Sequence, residues 1–403
     1  MRVVRQRRPT TKHGVATFER LLQAGTAILA QRGLRRASVA EICRRGRVAN
    51  GTFYQYFRNK DELLLTLLAQ LSQTLPRQIA QSLAPEAPVV ERLLNALRAH
   101  FEFIASHQQL YRIFREAEFT HTEVPKALYQ QIAKLYHEIL SKHGRSRAAG
   151  EAIAYALVGV TEFLALHLVF WHPQPCPQLW PVVREFLTHG ISGPAPAPPS
   201  REAARTLITP PQRAPQAQAS TRGRLLLAAE RAFGQHGFYE AQIAEIVRAA
   251  GVAHGTFYKY FTSKEAIFAE LVREINAQLR AHLRASIYGL GDRRLAERAG
   301  FRAFVDFIRE HPLAYRIVRE AEFVGSPPTT PGRWYYERLA QGYQAALPAA
   351  MAVGQIRSAD SELLAYMLMG IGHFIGLRWV VWKGQTVSDD LLDAVMDFIL
   401  HGL

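Results

Sequence analysis

The chain has 403 residues, 48% hydrophobic and 21% charged, with a net charge of +15. This length and apolar content predict two to four compact units and exclude general disorder. Cys43 and Cys176 are the only cysteines, which supports neither a disulfide framework nor a cysteine zinc site and fits a reducing, cytoplasmic setting.

Residues 1–60 hold fourteen basic side chains against two acidic ones, a local excess that marks an electrostatic footprint for nucleic acid. The basic start is not followed by an apolar run, so a secretory leader is not expected. From Val15 to Arg32, apolar residues fall at helical spacing, and Gly33 stops the run. Ser38, with Glu41 three residues on, reads as a capping box opening a second helix through about Arg45. A turn leads into a short third helix, Ala49–Phe57, and Asn59 opens a fourth through Leu63, Leu67 and Leu71. Such a unit is a helix-turn-helix, whose last helix enters the major groove.

The stretch Val48–Lys60, VANGTFYQYFRNK, recurs from Val252 as VAHGTFYKYFTSK, displaced by 204 residues. Phe53 and Phe57 fall on one helical face and suit a small core. Thr52, Tyr54, Gln55 and Tyr56 are then left for phosphates and base edges, with Lys60 at the end. Further on, HQQLYRIFREAEF (His107–Phe119) recurs in the same register as HPLAYRIVREAEF (His311–Phe323). Its Arg and Glu residues, three and four apart, predict helix-face ion pairs. A second reading places Glu116, Glu118, Glu320 and Glu322 on a ligand cavity.

Two apolar helices close each copy: Ala148–Trp171 and Leu179–Ile191, then Glu362–Trp382 and Leu391–Leu403. Glu162 and His167 inside the most apolar stretch, Ala152–Trp171, favour a buried interface helix over a membrane span. Gly159 and Gly370 would admit a close partner helix. Gly193–Ser220, rich in Pro, Ala and Gln, reads as a linker. The expected fold class is all-α with two tandem repeats. A basic arm and helix-turn-helix span residues 1–62, a helical domain 63–192 and the linker 193–220. A second helix-turn-helix spans 221–266 and a second helical domain 267–403.

The pattern Gly33, Ser38-Val39-Ala40-Glu41-Ile42, Val48-Ala49-Asn50-Gly51-Thr52-Phe53-Tyr54, Tyr56-Phe57 and Lys60-Asp61-Glu62-Leu63 resembles the DNA-binding domain of the TetR/AcrR family of transcriptional regulators. The second copy, from Gly237 through Ile243-Ala244-Glu245-Ile246 to Gly251-Val252-Ala253-His254-Gly255-Thr256-Phe257-Tyr258, resembles it too. The resemblance implies that each helical remainder is a ligand-binding and dimerisation domain whose last two helices build the dimer's four-helix bundle. It also implies repression, relieved when an effector changes the spacing of the heads. Two departures stand out. Arg47 occupies the place of the turn glycine, where a side chain costs about 1 kcal/mol, so a slightly altered turn is expected in copy one. Gln242 replaces the capping Ser38, a loss of about 1 kcal/mol in copy two.

The DNA-facing set follows from both readings. Tyr54, Tyr56, Lys60, Tyr258, Tyr260 and Lys264 are assigned to phosphates. Asn50, Thr52, Gln55, His254, Thr256 and Lys259 are assigned to bases. Gly51 and Gly255 allow close backbone approach, and Ser38 joins the set at the cap. The expected partners are double-stranded DNA and a small apolar or amphipathic effector, with no membrane, cofactor or metal. The copies would pair as an intrachain pseudo-dimer on unequal half-sites, or two chains would form a homodimer. Candidate pocket residues are Phe103, Tyr111, Glu116, Phe163 and His167, with Phe307, Tyr315, Glu320, Trp334 and His373. The alternatives are a helical scaffold with degenerate heads or a helical enzyme. The scattered histidines and the lack of any catalytic motif speak against an enzyme.

Overall fold

The computed structural model describes residues 9–141, 146–196, 220–325 and 330–403. The start of the basic arm and residues 197–219 of the expected linker lie outside them. Two compact units emerge: Met1–Leu83 with Asn95–Leu135, and Ala84–Leu94 with Tyr136–Leu403.

The first unit opens with α1 (Lys12–Arg32), α2 (Val39–Gly46), α3 (Asn50–Tyr56) and α4 (Lys60–Gln81). It also takes most of α5 (Val89–Ser106), all of α6 (Gln108–Ala117) and part of α7 (Glu123–Leu140). The helix starts are set by side-chain acceptors. Thr11 Oγ1 accepts from Gly14 N–H, Ser38 and Glu41 form the expected capping box, and Asn59 Oδ1 accepts from Glu62 N–H. Gly33 ends α1 at φ 79°, a conformation glycine adopts without steric cost.

The second unit begins its main run with α8 (Arg147–Ala165), which continues through a π-helical stretch, Leu166–Trp171, to α9 (Leu179–His189). Then come α10 (Thr221–His236), α11 (Ile243–Ala249), α12 (His254–Tyr260), α13 (Lys264–Ile287), α14 (Arg293–Glu310) and α15 (Pro312–Glu320). The chain closes with α16 (Pro331–Ala352), α17 (Ser361–Ile375) leading into a second π stretch, Gly376–Trp382, and α18 (Asp389–His401). Thus α10–α18 repeat α1–α9 in order, and the described residues contain no β-strand, only an isolated bridge between Ser192 and Ile356.

At the centre of this unit α8 packs along α17, flanked by α9 and α18. The two long helices touch at glycines: a Cβ on Gly159 would lie 2.1 Å from the Gly370 carbonyl oxygen, and the reverse holds. The contacts around this point are reciprocal, as in an isologous interface. Tyr155 meets Trp382 edge-on at 6.3 Å, and its counterpart Tyr366 meets Trp171 at 6.3 Å. Glu151 takes Arg378 at 2.7 Å, while the corresponding His167 and Glu362 stand 3.6 Å apart. At the far end Ile191 N–H donates to Ile399 O and Leu403 N–H to Leu187 O, both at 2.9 Å. Arg147–Trp171 and Ser361–Trp382 are each long and apolar enough to cross a membrane, but their apolar windows are 89% and 78% buried within this unit. The expected close-packed closing helices are therefore observed.

Candidate functional site

Each head is built by the same local chemistry. In the first, Phe53 and Phe57 are fully buried, and Phe18 stacks on Phe57 at 5.3 Å. In the second, Phe257 and Phe261 do the same work beside Phe233 and Phe268. Anchoring these rings turns the opposite face of α3 and α12 outward. Asn50, Gly51, Tyr54 and Gln55 are exposed, and so are His254, Gly255, Tyr258, Lys259 and Tyr260. Thr52, Tyr56 and Thr256 are half-buried at the edge. Tyr54 keeps 56% of its surface free and Tyr258 51%, so two large rings stand in solvent where a core role would have hidden them. The expected sets are thus brought together on one face of each head.

Lys60 and Lys264 are placed differently from the phosphate contact expected of them. Lys60 Nζ donates to the carbonyls of Leu34 (2.6 Å) and Ala37 (2.9 Å), and Lys264 Nζ to those of Tyr239 (3.3 Å) and Ala241 (3.0 Å). These bonds use two or more of each ammonium's three donors and tie the α1–α2 loop to the start of α4 and the α10–α11 loop to the start of α13. Burial lowers the pKa of Lys264, in keeping with that enclosed position. Ser38 is likewise occupied as the cap of α2.

The helix-turn-helix turn also differs from expectation. Arg47 sits at φ 52°, ψ 46°, where copy two has Gly251 at φ 64°. The turn itself is unchanged: Val48 N–H reaches Cys43 O at 3.1 Å, as Val252 N–H reaches Val247 O. Copy one therefore carries the left-handed strain rather than altering the turn. Gln242 makes no side-chain cap hydrogen bond, as the substitution predicted.

Glu116 and Glu320 take backbone partners in their own heads and do not line the cavity described below. Leu34 N–H donates to Glu116 Oε1 at 2.9 Å, and Phe238 N–H donates to Glu320 Oε2 at 3.0 Å. Both carboxylates are buried and lie against Gly33 and Gly237, where a Cβ would stand 3.1 Å from the oxygen. Each head is thereby pinned to the sixth helix of its own repeat. Burial raises the Glu116 pKa, opposed by the Leu34 hydrogen bond and by Arg112.

The second unit holds a cavity of about 410 Å³ among α13, α14, α15, α16 and α17, with Phe163 of α8 completing the wall. Of the expected pocket residues, Phe163, Tyr315 and His373 line it, with Tyr315 Oη 3.0 Å from His373 Nδ1. The others lie elsewhere. Phe103 stacks on His107 and Tyr111 packs against Phe114 in the core of the first unit. Phe307 packs on His311, His167 stacks on Tyr366 at 4.1 Å in the α8–α17 contact, and Trp334 is 40% exposed. Aromatic type and spacing do not separate core from cavity wall. The polar lining that was not anticipated comprises Arg280, Arg284, Arg293, Glu297, Arg338 and Tyr343. Its signal lay where the repeat breaks, since Arg280 and Arg284 face Pro76 and Ala80 in the 204-residue register.

A buried aromatic anchor, a tight turn and an outward polar helix, made twice, define a helix-turn-helix regulator. The model of the bacterial regulatory proteins of the tetR family matches residues 21–67 and again 225–271. The transcriptional activator FasR of Mycolicibacterium smegmatis is 32% identical over 189 residues, covering 45% of this chain and 82% of that protein. The Bacillus subtilis regulator YdgC is 48% identical over 60 residues, which is 15% of this chain and only 31% of YdgC. Among solved structures, FadR of Bacillus subtilis in complex with stearoyl-CoA is 21% identical, with TM-score 0.41 over 45% of this chain and 98% of that one. The chain belongs to the tetR family and carries its DNA-binding domain in tandem.

Proposed function

We propose that this chain is a ligand-responsive repressor whose two repeats pair within one polypeptide and read an asymmetric operator. The observation that carries the reading is the pair of outward helices with equal scaffolds and unequal lettering: Asn50 and Gln55 in one, His254 and Lys259 in the other. Identical subunits demand a palindrome, whereas these helices favour unlike half-sites about one helical turn apart. Tyr54, Tyr56, Tyr258 and Tyr260 would hold phosphates. Asn50, Thr52, Gln55, His254, Thr256 and Lys259 would read base edges, with Gly51 and Gly255 permitting close approach.

The reciprocal contacts across α8, α9, α17 and α18 support pairing within the chain, because they fill the surface a second chain would use. The apolar cavity supports a small apolar or amphipathic effector. Such a molecule releases DNA only if it binds one arrangement of the heads better than the other. A mobility-shift series over salt concentration tests the reading. Specific retardation with a log–log slope near −0.9 per phosphate contacted is expected. No retardation of any operator fragment at low salt overturns it.

A further inference from the structure

We infer that the second copy alone carries an anion-capped ligand site: its cavity takes an amphiphile with an apolar chain and a carboxylate- or phosphate-type head, held by Arg280, Arg284 and Arg338. This rests on the effector reading above and gives it a chemical class.

The apolar part of the wall comes from residues such as Leu279, Leu283, Phe304 and Leu368. Arg280, Arg284 and Arg338 converge at one side of it, the first half-buried and the other two exposed. The fourth arginine, Arg293, is already matched, since its Nε donates to Glu297 at 2.7 Å and Tyr343 also bonds that carboxylate. The three remaining guanidiniums have no carboxylate match; Arg338 Nη1 donates to the neutral side-chain oxygen of Gln341 at 2.5 Å. None forms an ion pair with a carboxylate among the described residues, and the buried Nε of Arg280 has no hydrogen-bond partner. Burial, then Arg338 and Arg284, all push the Arg280 pKa down. Like charges gathered at a partly desolvated rim are unfavourable until an anion joins them, and guanidinium forks suit carboxylate and phosphate oxygens.

Copy one lacks this apparatus. In the 204-residue register Pro76 and Ala80 stand for Arg280 and Arg284. Aligning Tyr129 and Tyr136 with Tyr336 and Tyr343, seven apart in both copies, puts Gln131 in place of Arg338. The repeats have therefore diverged at the three positions that would grip a charged head, and one anionic site per chain follows.

Calorimetric titration of the full chain with decyl phosphate, decanoate and decanol, each below its aggregation threshold, tests this. Both anions are expected to bind once per chain and at least about tenfold tighter than decanol. R284Q/R338Q, at exposed positions that leave the fold intact, should weaken decyl phosphate about tenfold and leave decanol unchanged. Decanol binding as tightly as the anions, two anions per chain, no binding of any probe, or an unaffected double variant each overturns the inference. Operator retardation without probe, on the same preparation, reports separately on the regulator reading.

Discussion

Replacing Arg47 by glycine should stabilise the fold and weaken DNA binding together. Arg47 is the only non-glycine residue with positive φ among the described residues, at φ 52°. The left-handed region costs an L-residue about 1–2 kcal/mol. Glycine returns that but gives up about 0.4–1 kcal/mol through the unfolded chain's added freedom, so R47G should gain about 0.5–1 kcal/mol. Strain of this kind persists at functional positions, and the side chain is exposed beside the recognition helix. Residues 20–60 carry nine basic and one acidic side chain, against five and three over the matching 224–264, so on the proposed reading the first head should be the stronger phosphate binder. R47G should therefore lower the salt slope by about 0.9 while denaturant unfolding shifts to higher midpoint. Lower stability, or an unchanged slope and affinity, would refute the reasoning.

Glu116→Ala and Glu320→Ala should each cost about 1–3 kcal/mol, because a buried backbone N–H loses its acceptor. Hydrogen exchange should speed up at Leu34 and Phe238 respectively, with the Gln variants milder. His167 is held neutral, its pKa pushed down to about 4 by burial and then by His172. A depressed folded pKa gives stability that is complete above the unfolded value near 6.5 and is lost as pH falls toward 4. His167→Phe should remove that part of the acid sensitivity in a pH series of melts. Gly159→Ala places a methyl against the Gly370 carbonyl, and overpacking of about 3 kcal/mol should appear in unfolding curves. A neutral result there would contradict the backbone contact.

What could be read from the sequence was local. Ser38 with Glu41, Gly33 and the aromatic pair Phe53 and Phe57 each specify a cap, a stop or a buried face within one helical turn, and all are found. The duplication transferred the same readings to copy two. Interactions with distant backbone were not legible. Glu116 reads as half of an i, i+4 pair with Arg112, which does act on it, but its hydrogen-bond donor is an N–H 82 residues earlier in the chain. Lys60 looked like a phosphate ligand, yet it closes a loop by meeting carbonyls that no pattern marks. The cavity wall draws on six helices distant in sequence, and only three of the ten expected residues reach it.

The central claim is that each half of one chain reads its own, different half-site. Footprinting an operator with Tyr54→Ala and with Tyr258→Ala, at a stoichiometry fixed by light scattering of the complex, measures it directly. One chain per duplex is expected, each variant losing protection over a different groove segment. Loss of the same segments in both variants, or a second substitution without effect, would contradict the account.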